Sequence, residues 1–81
     1  MTKPNKFTFD AIEYWVELTP DVINGDIVRR VSDDAEVCRI TMDPAFEYYH
    51  CESPDGLFVR IHSNQPNAYV NAIKSCISGS A

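Results

Sequence analysis

The chain is short of positive charge. Seven lysines and arginines stand against twelve carboxylates in 81 residues, for a net charge of −5. Phosphate affinity comes from clustered Lys and Arg, so direct binding of nucleic acid is not expected. Long apolar runs are also missing, which excludes a membrane-spanning helix. The basic start, Met1-Thr2-Lys3-Pro4-Asn5-Lys6, has no apolar stretch of about 7–15 residues behind it, so no secretory signal is expected. No CxxC, P-loop, GxGxxG, HExxH or GxSxG occurs. Cys38, Cys51 and Cys76 are odd in number and widely spaced. They read as reduced, partly buried thiols of a cytoplasmic protein, with one disulfide plus a free thiol as the alternative.

What is present is a core. Apolar residues make up 44% of the chain, and four Tyr, four Phe and one Trp are among them. That is too much for a disordered tail. The length fits one domain over residues 1–81, with residues 1–6 and 79–81 as flexible ends. A chain this short buries only about 60% of its unfolded surface and has little stability to spare.

Turn signals recur at the spacing of short antiparallel strands. Phe7 to Thr19 reads as one strand, with Ile12, Tyr14, Val16 and Leu18 on one face and Glu13, Trp15 and Glu17 on the other. Asn24-Gly25 is the preferred pair for a two-residue hairpin turn, setting Leu18 opposite Val31 and Val22 opposite Ile27. A helix over 20–31, capped at Thr19-Pro20-Asp21 and carrying Ile23, Ile27 and Val31, is the alternative. Asp33-Asp34 marks a turn. Cys38, Ile40 and Met42 alternate as a strand that Asp43-Pro44 closes. Phe46–Glu52 and Leu57–His62 form a last pair of strands around Ser53-Pro54-Asp55-Gly56, a turn in composition.

After Ser63 the period lengthens. Tyr69, Ala72, Ile73, Cys76 and Ile77 fall on one helical stripe. Pro66 suits the first turn with Asn64 or Gln65 as cap, Lys74 the later turns, and Gly79 the end. The expected fold is therefore α+β: a four- or five-stranded antiparallel meander with one C-terminal helix on one face.

The Ser53–Gly56 turn fixes a register in which Ser53 meets Leu57, Cys51 meets Val59 and Tyr49 meets Ile61. That face seats the helix. The opposite face then carries Tyr48, His50, Phe58, Arg60 and His62, with Phe46 at its edge and Trp15 joining if the first strand buries its aliphatic side. Aromatic residues and arginine dominate interface energetics, so this face is one candidate partner-binding site. Cover by an N-terminal segment, a folded-over hairpin or a dimer partner is the competing reading. A second candidate is the acidic group Glu13, Glu17, Asp21, Asp26, Asp33, Asp34 and Glu36, concentrated in the first half.

No catalytic residue, metal site or cofactor is expected. His50 and Cys51 are neighbours, so on a strand they point apart. Two histidines without a third ligand make a poor zinc site. Cys38 with His50 lacks an orienting group. An aromatic and basic sheet face also suits single-strand RNA, but Arg60 and two histidines are thin support beside this net charge. In size and charge alone, the chain looks like phage or mobile-element inhibitors of the anti-CRISPR and anti-restriction kind. It looks equally like small toxin-immunity proteins. No motif carries either likeness, and no residue role follows from it. The expected function is a stoichiometric inhibitor that binds a protein or ribonucleoprotein with a basic surface. A homodimeric structural protein and, behind it, a small enzyme or ligand-binding domain are the alternatives.

Overall fold

The computed structural model describes residues 5–19 and 25–80. Its elements are β1 (Phe7–Phe9), β2 (Ile12–Glu17), β3 (Asp26–Arg30), β4 (Glu36–Met42), β5 (Tyr48–Glu52), β6 (Phe58–His62) and α1 (Ala68–Ser80). The fold is α+β. The strands form one antiparallel sheet in chain order, curled into a half-barrel, and the helix packs on its inner face. No helix of the described residues is long and apolar enough to cross a membrane.

The sheet has six strands rather than four or five. The extra strand comes from a hairpin inside the segment read as one strand. Phe9 pairs with Ile12, and Asp10 (φ 54°) and Ala11 (φ 66°) make the turn between them. Two consecutive positive φ values define a turn that matches strand twist and usually recruits Asn or Gly. Asp and Ala gave no such signal.

The second correction concerns register. Val16 pairs with Val28 and Glu17 with Ile27. The expected partners, Val31 for Leu18 and Ile27 for Val22, do not hold. That register is not the one a two-residue turn at Asn24-Gly25 would set. Pro20–Asn24 lie outside the described residues. The alternative, a helix over 20–31, is excluded for Asp26–Arg30, a strand bonded on both sides. Packing decides this: Val28 is fully buried, against Cys38 on the neighbouring strand.

The last hairpin has the expected register, with Cys51 opposite Val59 and Tyr49 opposite Ile61. Ser53 and Leu57 close it, the Ser53 N–H donating to the Leu57 carbonyl at 2.9 Å. Phe46 is not in the strand. It sits in the preceding turn at φ 57° and is exposed.

The helix stripe is as expected, with Ala72, Ile73 and Cys76 buried and Tyr69 and Ile77 packed against them. Its ends differ. Asn67 (φ 54°) precedes the helix, so Pro66 lies before it and accepts from Asn71 Nδ2 at 3.2 Å. Gly79 is helical and does not terminate the helix, and Lys74 stands mid-helix over the Phe9 ring. The core gathers Tyr14, Val16, Val28, Cys38, Ile40 and Cys51 from the sheet beneath this stripe. All three cysteines are free, and they are fully buried rather than partly so.

Gly25 and Gly56 both take positive φ, 73° and 96°. A methyl at Gly25 would run into the Ile40 carbonyl and Thr41 Cγ2, whereas Gly56 faces open space. Gly56→Ala should cost about 1 kcal/mol for the left-handed backbone alone. Gly25→Ala should lose about 1–3 kcal/mol more from overpacking. Urea midpoints of the two variants measure the difference, and equal losses would refute tight packing at Gly25.

Candidate functional site

Strand alternation brings five of the sequence-identified residues together on the outer face of β5 and β6. Tyr48 pairs with His62 and His50 with Arg60, while Glu52 pairs with Phe58. The rings then interlock. Tyr48 and His62 meet edge to face at 4.8 Å, and His50 tilts against Phe58 at 5.3 Å. The Arg60 guanidinium carbon lies 3.7 Å from the centre of the Tyr48 ring. Cation–π stacking of this kind holds the guanidinium flat against the ring. Phe58 is 53% exposed and Phe46 61%, so no described part of the chain covers this patch. His62 Nδ1 accepts the Asn64 N–H at 3.2 Å, which orients the ring from the side.

Trp15 does not join the cluster. It stands on β2, three strands from β5, which is roughly 14 Å across the sheet. Its indole N–H donates to Asp34 Oδ1 at 2.9 Å. The tryptophan thus belongs with the β3–β4 turn.

The acidic group is distributed rather than gathered, and much of it faces basic partners of the same chain. Glu17 accepts from Arg29 at 3.1 Å, Glu36 from Arg39 at 3.1 Å, and Glu13 lies 3.5 Å from Lys6. Asp33 takes a two-pronged bond from Arg30, at 3.0 and 2.8 Å. Asp26 belongs to the other side of the sheet, where its carboxylate accepts the Tyr69 hydroxyl at 2.9 Å and ties the helix to β3. Burial and that carboxylate push the Tyr69 phenol upward. Asp21 lies outside the described residues.

Cys38 points into the core and His50 lies on the outer face, so the two do not form a catalytic pair. His50 and His62 pack on different aromatic neighbours, Phe58 and Tyr48. Between β1–β2 and the helix runs an apolar groove of about 430 Å³, bordered by Phe7, Val16, Leu18, Val70 and Ile73. Tyr69 at its wall is already bonded to Asp26. Sequence reasoning missed the groove because it depends on β1, which the sequence did not announce.

The chain matches no protein family model, no curated protein and no solved structure.

One acidic residue outside both candidate groups supports the aromatic face. Asp43 Oδ1 accepts the backbone N–H of Tyr48 at 3.0 Å and of Glu47 at 2.7 Å. These bonds, the Tyr48 one foremost, hold its carboxyl below the usual range, with His50 and Arg60 adding a smaller pull. Asp33 is lowered chiefly by Arg30, and Asp55 chiefly by Ser53. A carboxyl depressed in the folded state stabilises above its unfolded pKa, about 3.9, and that stability is lost as pH falls through the folded value. Acid unfolding should therefore begin below about pH 4. Asp43→Ala should lower the thermal midpoint at neutral pH and flatten its acid dependence. A variant whose midpoint follows the wild-type curve at every pH would count against this cap.

Proposed function

We propose that this chain is a protein-binding module and that its recognition surface is the outer face of β5 and β6. The observation that carries the reading is the uncovered cluster of Tyr48, Arg60 and His62 beside His50 and Phe58. Tyrosine and arginine are enriched among residues that dominate binding energy, and this pair is already stacked. Ordering the two side chains before contact reduces the entropy lost on binding.

Charge completes the proposal. Ion pairs within the chain neutralise Glu13, Glu17, Asp33 and Glu36 locally, yet the net charge of −5 remains. Net charge steers encounter over a distance, while the aromatic cluster supplies short-range contact. A partner with a basic surface, such as a nucleic-acid-handling protein or ribonucleoprotein, fits both. The module would act on it as a stoichiometric inhibitor, of the anti-CRISPR or anti-restriction type, by occupying surface.

The test is a pair of variants, Phe58→Ala and Arg60→Ala. Because Phe58 is half exposed, its loss should cost about 1–2 kcal/mol of folding stability, less than the about 3–5 kcal/mol of a core Phe→Ala. Binding should weaken by about 2 kcal/mol or more, roughly thirtyfold. Immobilised wild-type chain should recover a partner from source-cell lysate at low salt, and both variants should recover far less. Equal recovery by wild type and variants removes the face from the proposal. Self-association of the wild type in sedimentation, abolished by Phe58→Ala, would instead assign the face to a homodimer.

A further inference from the structure

The core holds an arrangement that neither the aromatic face nor the acidic group uses. Cys38 on β4, Cys51 on β5 and Cys76 on α1 bring their sulfurs together, each Sγ within 4.8 Å of the others. All three residues are 0% exposed. They are every cysteine the chain has. From the convergence of these thiols out of three separate elements, we propose a binding site for one trivalent thiophilic metalloid, with arsenite as the probe.

Geometry admits an ion. Sulfur ligands bonded at about 2.3 Å stand about 3.5–4 Å apart around their centre. The side chains need close by only about 1 Å or less from the observed spacing. Adjacent strands present Cys38 and Cys51 as one edge of the triangle, and the helix lowers Cys76 onto it.

Charge selects the ion. Among the described residues no His, Asp or Glu joins the group, so three sulfurs are the whole ligand set. Zinc takes four ligands, or three and a water. Three thiolates around a divalent ion would leave a negative charge in an apolar core, which is costly. A monovalent ion would leave more. Three thiolates around a trivalent centre are neutral.

The exchange also balances. Arsenite enters as As(OH)₃. Three S–H and three As–O bonds break, and three As–S bonds and three water molecules form. Each thiol proton leaves on a departing hydroxide, with no oxidant needed and no net proton released.

Because the site is closed, entry follows opening of the helix from the sheet and is slow. Once bound, the ion ties α1 to β4 and β5 and raises the thermal midpoint by linkage.

The test uses the reduced full chain with arsenite, and with zinc(II) and copper(I) in parallel. Intact-mass spectrometry under native conditions should show one arsenic gained and three hydrogens lost. X-ray absorption should show three sulfurs and no oxygen around it. The midpoint should rise, and pH in weak buffer should not fall. Cys38→Ala, Cys51→Ala and Cys76→Ala should each lose the adduct while circular dichroism confirms the fold. The wild-type sulfur count stands without those variants should they fail to fold. No adduct on a chain whose three thiols are shown to be reduced overturns the proposal. So does coordination by only two sulfurs, or tighter binding of zinc than of arsenite.

Discussion

Close approach of one helix to a curled sheet is the constraint on which the rest of the structure depends. It is possible because the side chains at the contact are small. Cys38, Cys51, Ala72 and Cys76 are all 0% exposed, and the larger Val16, Ile40 and Ile73 pack around them. Seating the helix on the inner face leaves the outer face of β5 and β6 without cover from the described residues. The binding surface proposed here is thus a by-product of how the core is closed.

Where turn chemistry was unambiguous, the sequence was readable to the residue. Pro54-Asp55-Gly56 fixed the β5–β6 register, and with it both the helix-facing and the outward-facing residues. The stripe from Tyr69 to Ile77 was equally plain, because apolar side chains at a helical period have few other uses. Where turn chemistry was silent or misleading, the reading failed. Asp10-Ala11 adopts a glycine-like turn without glycine. Asn24-Gly25 carries a strong hairpin signal, yet β2 and β3 pair in a different register, since that register buries Val16 against Val28. Tertiary packing outweighed a local preference worth far less.

The candidate site was legible to the same extent as its hairpin. Tyr48, His50, Phe58, Arg60 and His62 follow from one turn and period-two alternation. Trp15 did not, because β3 and β4 stand between its strand and β5. The acidic group was visible only as a count. Sequence shows how many carboxylates there are, not which arginines they meet. The Arg30–Asp33 and Arg39–Glu36 pairs are three residues apart in a β context, where no simple spacing rule foretells them. The cysteines, widely separated in sequence, gave no hint of convergence, because β4, β5 and α1 meet only once the sheet has curled.

The two proposed sites lie on opposite faces of the same strand, which couples them through register. Tyr48 and His50 project outward from β5, and Tyr49 and Cys51 inward. A slip of one residue would exchange the sets, burying His50 and exposing Cys51. Asp43 opposes this by holding the backbone of Glu47 and Tyr48 at the start of the strand, and the Ser53–Leu57 closure holds its other end. Fixing β5 at both ends keeps aromatic residues out and thiols in. The same local bonds therefore specify the core, the uncovered face and the meeting of the sulfurs, and a change of strand register would alter all three.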